Sequence, residues 1–175
     1  RGLGDVYKRQ VEKATGEKLS DYVSRKLWTP MHAEESALWS LDRKDGMEKA
    51  YCCFNSNARD FARFGQLLLN NGQWDGQQLI SPAYLAEATS PDTRLVYKDL
   101  GKPNHCYGFQ YWILDYKGMK IPYMRGILGQ YVFTLPEKNA VIVRLGHKRS
   151  DTYTADQHYP DDINTWLDAA MDLLQ

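Results

Sequence analysis

Residues 121–145 read IPYMRGILGQYVFTLPEKNAVIVRL. Two apolar runs rich in β-branched and aromatic residues, Ile121 to Leu135 and Ala140 to Leu145, flank Pro136 to Asn139. Such runs suit a pleated, half-buried surface, and the proline and asparagine between them mark a turn. One step upstream, Tyr107 to Leu114 (YGFQYWIL) has the same character, and Tyr116-Lys117-Gly118 supplies a hairpin turn before Ile121. Three consecutive strands with short turns predict an antiparallel meander. Gly126 and Gly129 interrupt its middle strand region.

Outward from the meander the period changes from two to that of a helix. Val11 to Ala14 reads as the end of a helix stopped at Gly16. Ser20 is placed to cap a helix through Leu27, with Leu19, Tyr22, Val23 and Leu27 on one face, and Thr29-Pro30 ends it. Glu34 to Glu48 is a polar loop with room for one short strand, anchored by Trp39 and Leu41, with a turn at Asp45-Gly46. Asn57 caps the next helix, whose apolar positions are Phe61, Phe64, Leu67 and Leu68, and Asn71-Gly72 closes it. Ser81-Pro82 opens another helix that ends before Pro91, and Thr93 to Cys106 is a polar loop. Pro160 to Gln175 predicts a terminal helix with the stripe Ile163, Trp166, Leu167, Ala170, Met171 and Leu174, which would cover one sheet face. Helices first, then strands, then a helix make an α+β arrangement. A three-stranded sheet with two open edges reads as part of something larger.

Composition narrows the function. Lys plus Arg and Asp plus Glu number 22 each, so no net positive field draws in nucleic acid or an anionic membrane. The densest basic patch, His147-Lys148-Arg149, is too short for a nucleic-acid stripe. No apolar run approaches the ~20 residues that cross a bilayer. Cys52, Cys53 and Cys106 form neither a disulfide framework nor a zinc spacing, so buried, reduced thiols are expected and no metal or cofactor is implied. Residues 1–10 (RGLGDVYKRQ) lack an apolar period and resemble translated adapter sequence. They are set aside as non-native, with the native domain expected over residues 11–175.

Three segments, in order, carry a family resemblance. They are Ala14-Thr15-Gly16-Glu17-Lys18 followed by Leu27-Trp28-Thr29-Pro30; Asn55 to Gly65 (NSNARDFARFG) followed by Leu67 to Gly72 (LLLNNG); and Arg125 to Tyr131 (RGILGQY) followed by Pro136-Glu137-Lys138-Asn139 and Val141-Ile142-Val143. Together they resemble the C-terminal half of the class C β-lactamase-like, penicillin-recognising serine hydrolases, a group that includes esterases, peptidases and amide hydrolases. The resemblance implies the C-terminal part of a β-lactamase/transpeptidase-like fold. It also implies small ester, amide or peptide substrates for the parent protein, and a parent that, like many members, is periplasmic or secreted.

The family's chemistry uses a Ser-x-x-Lys nucleophile, a Tyr-x-Asn or Tyr-x-Ser element and a Lys/His-Thr-Gly strand at the oxyanion hole. No serine here is followed by lysine three residues on, and residues 1–10 occupy the place of the tyrosine element. The chain is therefore expected to be a C-terminal fragment, inactive alone. Met124-Arg125-Gly126 falls where Lys/His-Thr-Gly is expected, so the basic partner for a β-lactam carboxylate is missing. The resemblance makes Arg125, Gly126, Ile127 and Gly129 a substrate-binding and oxyanion wall, with the Ile127 N–H as donor, and puts Cys53 and Asn55 at a cleft rim. On residue type alone, Gly126 and Gly129 read as a bulge in a strand. Arg125 suits a substrate carboxylate or an acid on the surface. Arg59, Asp60 and Arg63 read as helix-surface or helix-to-sheet ion pairs, and His147 suits a general base by residue type but reads first as a solvated turn histidine. The competing reading is a non-catalytic module that binds a ligand or protein on its aromatic sheet face.

Overall fold

The computed structural model describes residues 3–98 and 101–174. The expectations for residues 1, 2, 99, 100 and 175 lie outside them. The chain divides into two compact units, residues 1–63 and 64–175.

In the first unit α1 (Leu3–Thr15) runs through most of the ten residues set aside above. It stops at Gly16, whose φ of +75° lies in the left-handed region that glycine enters without penalty. Next comes α2 (Leu19–Val23), continued by a π-helical turn over Ser24–Trp28. Ser20 is not its cap: Lys18 holds that position without a side-chain bond, and the Ser20 hydroxyl donates to Glu48 at 2.6 Å. Two short strands, β1 (Leu38–Trp39) and β2 (Phe54–Asn55), pair antiparallel. The rings of Trp28, Trp39 and Phe61 stand edge-on to Phe54 at 5.3, 5.2 and 6.1 Å, a half-buried aromatic cluster. Helix α3 (Ala58–Leu69) begins as expected, with Asn57 Oδ1 accepting the Asp60 N–H at 2.9 Å.

The second unit starts within α3. The hairpin of β3 (Gln73–Trp74) and β4 (Gln77–Gln78) follows Gly72, and α4 (Pro82–Ala88) has Ser81 as cap and proline in its first turn. The loop expected over 93–106 contains a small hairpin, β5 (Val96–Tyr97) with β6 (Lys102–Pro103). The meander has four strands where three were expected: β7 (Trp112–Tyr116), β8 (Met119–Arg125), β9 (Tyr131–Leu135) and β10 (Ala140–Arg144), in the order β10-β9-β8-β7. The stretch from Ile121 to Leu135 is two strands because the turn at 126–130 reverses the chain, pairing Arg125 with Tyr131. Tyr107 to Tyr111 lies outside the ladder, since Gln110 sits at φ +63° and breaks the extended run.

One sheet face carries Leu114, Tyr116, Ile121, Tyr123, Tyr131 and Phe133 against Ile163, Leu167 and Met171 of α5 (Asp162–Leu173), whereas Trp166 and Leu174 of the expected stripe are exposed. The opposite face, with Val132 and Val141, meets α3 at Gly65. A Cβ on Gly65 would lie 2.5 Å from Val141 Cγ1 and 3.3 Å from Val132 Cγ1. Gly65→Ala is therefore expected to force helix and sheet apart, at a cost of about 1–3 kcal/mol typical of overpacking. A urea midpoint equal to wild type would contradict that close approach.

Candidate functional site

The sequence-selected residues of the second unit sit on the β8–β9 connection. Alternation places Tyr123 and Arg125 on the face covered by α5, and Met124 on the other with its partner Val132. The Arg125 guanidinium lies 3.3 Å from the centroid of the Trp112 ring. Its Nη1 donates to the His158 carbonyl at 2.9 Å and to the Tyr123 hydroxyl at 3.4 Å. Among the described residues Arg125 makes no ion pair; a ring face and a carbonyl hold it.

Gly126 is extended, and its N–H donates to the Gln130 carbonyl at 2.8 Å, closing the connection. Between them Ile127–Gly129 forms a 3₁₀ turn with Leu128 at φ 58° and Gly129 at φ +81°. Ile127 is the first residue of that turn, so its N–H has no acceptor inside the turn, and the residue is 76% exposed. Its position suits it to donate to a ligand.

Arg144, which the sequence reading passed over, braces this turn. Its Nη1 donates to the Gly129 carbonyl at 2.7 Å and its Nη2 to the Lys148 carbonyl at 2.8 Å, while Gln130 Nε2 reaches the Gly146 carbonyl at 2.5 Å. The guanidinium fills the space a Cβ on Gly129 or Gly146 would need, so both glycines are required by this arginine. The hairpin register was the available signal: pairing Ala140 with Leu135 puts Arg144 opposite Tyr131. Burial pushes the Tyr123 phenol up and the Tyr131 phenol up to about 12, so neither gives up its proton near neutrality.

The first unit holds the other two candidates and is described by itself. Cys52 and Cys53 are joined as a disulfide, which corrects the expectation of reduced thiols there; only Cys106 is free and buried. Adjacent cysteines bring their sulfurs together without any loop to close. Asn55 is exposed, and its Nδ2 donates to the Cys53 carbonyl at 2.9 Å. A cavity of about 390 Å³ lies beside them, lined by Trp28, Trp39, Phe54, Lys18, Ser20 and Glu48 among others.

Ser20 contacts a carboxylate but is not activated by it. Burial pushes the Glu48 carboxyl up, while hydrogen bonds from Ser20 and Lys8 pull it further down, to about 2. So weak a base does not take a serine proton. Tyr22-Val23-Ser24 has Tyr-x-Ser spacing, a match the sequence reading overlooked. It lies in α2 and the π turn, after Gly16, and not upstream of α1 where the resemblance puts the element. His147 is exposed beyond β10. Asp60, expected among helix-surface or helix-to-sheet ion pairs, is fully buried. Among the described residues no three His, Cys, Asp or Glu side chains gather to hold a metal ion, and no helix is long and apolar enough to cross a membrane.

A family model described as beta-lactamase matches residues 3–163. The 6-aminohexanoate-dimer hydrolase of Paenarthrobacter ureafaciens is 28% identical over 145 residues, which cover 81% of this chain and 36% of that protein. A solved Bacillus anthracis structure assigned as a 6-aminohexanoate-dimer hydrolase superposes with a TM-score of 0.76 at 26% identity, covering 95% of this chain and 40% of that one. A Bacteroides dorei DSM 17855 structure assigned as a beta-lactamase gives a TM-score of 0.61 at 15% identity, over 93% of this chain and 54% of the other; it speaks to the fold alone. The chain thus spans between 36% and 54% of the length of these relatives.

Proposed function

The chain belongs to the beta-lactamase family of hydrolases, and from that premise we propose that it is the C-terminal part of a serine hydrolase that works through an acyl-enzyme. One observation carries the reading: none of its serines is followed by lysine three residues later, although it aligns with only 36% of its curated relative. The nucleophile and its base are then supplied by upstream sequence, and the chain alone is inactive.

In this reading the upstream serine attacks an ester, amide or peptide carbonyl, and the N–H of Ile127 donates to the oxyanion that forms. Gly126 and Gly129 shape the turn, Arg144 fixes its far side, and Arg125, clamped on Trp112, fixes the end of β8. Cys53 and Asn55 remain candidates for the cleft rim. The relative's name points to a small molecule, a dimer of an amino acid, and so to an amide bond first.

Residues 1–10 we hold to be non-native. Lys8, buried between Glu12 and Glu48, would then be a fortuitous partner of Glu48.

The test is the DNA upstream of Val11. Ser-x-x-Lys followed by Tyr-x-Asn or Tyr-x-Ser just before Val11 is the expected result. A p-nitrophenyl ester assay complements it: the 175-residue chain is expected to show background rates only. Turnover that disappears on changing a single serine of this chain would sink the proposal.

A further inference from the structure

We propose that the Cys52–Cys53 disulfide is a reversible thiol–disulfide exchange site that sets the Trp39–Phe54 wall of the cavity in the first unit. The inference stands on that unit's geometry and does not depend on the hydrolase reading.

The first observation is the conformation the linkage spans. Cys53 has a φ of +70°, a left-handed conformation that costs any residue with a Cβ. The bond to the preceding cysteine ties this residue's side chain back along its own chain. Without the bond, nothing in the cysteine side chain favours the left-handed region.

The second is what depends on that segment. The Cys52 carbonyl shares the Trp39 Nε1–H with the Lys49 carbonyl, each at 3.1 Å, and the Cys53 carbonyl accepts from Ser40 N at 3.0 Å and from Asn55 Nδ2 at 2.9 Å. The next residue, Phe54, pairs with Trp39 across β1–β2 and touches the rings of Trp28, Trp39 and Phe61. Trp28, Trp39 and Phe54 are walls of the roughly 390 Å³ cavity. Rotating the Cys52–Cys53 segment therefore shifts two acceptors and one wall together.

The third is access. Cys53 is exposed and Cys52 half-buried, whereas Cys106 is buried. A small thiol can reach Cys53 first. Its thiolate attacks the Cys53 sulfur, the S–S bond breaks, and the Cys52 thiolate leaves and takes a proton from water. A second thiol then attacks the mixed disulfide and releases Cys53 as a thiol. The sum is one protein disulfide plus two small thiols giving a protein dithiol and one small disulfide, a two-electron exchange with the thiol as reductant.

The experiment compares the purified, air-oxidised protein before and after dithiothreitol. Iodoacetamide is expected to label Cys52 and Cys53 only after reduction and to leave Cys106 unlabelled. Hydrogen exchange at the Ser40 amide should accelerate by about tenfold on reduction, roughly what one lost hydrogen bond of protection permits. The Cys52→Ser/Cys53→Ser variant should exchange at the fast rate with or without reductant. Labelling of both cysteines before any reductant is added would overturn the proposal. So would complete reduction of the wild-type protein with unchanged exchange at Ser40, a comparison that needs no variant to fold.

Discussion

Asp60→Ala is expected to lower stability by about 3–5 kcal/mol, the scale seen when one partner of a buried charged cluster is removed. The Asp60 side chain has 0% relative exposure. One oxygen accepts the Glu34 N–H at 2.8 Å and lies 3.2 Å from Arg63 Nη1. The other accepts the Glu35 N–H at 3.1 Å and the Asn57 amide at 2.8 Å. One carboxylate thus ties the chain after the π turn to the start of α3. Truncation leaves the Glu34 and Glu35 N–H groups and the Asn57 amide without this acceptor, and each buried orphan adds its own desolvation penalty, while Arg63 keeps the Met31 carbonyl and the Glu34 carboxylate. Burial pushes the Asp60 carboxyl up, but the bonds from Glu34, Glu35 and Asn57 and the charge of Arg63 outweigh it, so its pKa falls below the ordinary value. The sign follows. A depressed carboxylate stabilises the fold above its unfolded pKa of about 4 and loses that contribution as pH drops through the folded value. The gap between wild type and Asp60→Ala in urea melts should be full at pH 7 and shrink below about pH 4. A gap under 1 kcal/mol at pH 7, or one that grows on acidification, would refute this account.

Asp60 also marks where the sequence stops being legible. Asn57 as a cap, the helical spacing of Phe61, Phe64, Leu67 and Leu68, and the glycine at 72 are local signals, and they placed α3 correctly. Two of the donors Asp60 binds, the Glu34 and Glu35 amides, lie more than 20 residues upstream, and no local pattern reveals that they return to it. The same holds in the sheet. Ile121 to Leu135 looked like one interrupted strand because apolar alternation resumes on both sides of Gly126 and Gly129. The reversal is set by backbone geometry at Leu128 and Gly129 and by the reach of Arg144 from β10. Terminal helix α5 was legible because an apolar stripe is a property of one segment. The Cys52–Cys53 disulfide is not legible for the opposite reason: the pair is in plain view, but three cysteines make no disulfide framework. For the candidate site, contiguous residues were found and their supports were not. Arg125, Gly126, Ile127 and Gly129 are one turn, whereas Trp112, Arg144 and the His158 carbonyl reach it from elsewhere in the second unit.

In the whole serine hydrolase proposed above, Ile127→Pro is expected to lower kcat by about 10²–10³-fold, as losing one oxyanion donor does. The substitution deletes the N–H and little else. Proline is tolerated in the first turn of a helical segment, and Ile127 opens the 3₁₀ turn. The residue before a proline must be extended, and Gly126 already is, at φ −103° and ψ 174°. The lost side chain is 76% exposed, so little buried area goes with it. Ile127→Ala is the control: it removes the side chain and keeps the N–H, so its kcat should stay within a few-fold of wild type. Melting temperatures of both variants should stay near wild type, because Arg144 and the bond from Gly126 to Gln130 hold the turn from either side. Equal activity of the proline and alanine variants, at equal stability, would show that the Ile127 N–H makes no contact with the developing charge. The wall would then owe its shape to the needs of the hairpin, and the oxyanion donor would have to be sought on another element.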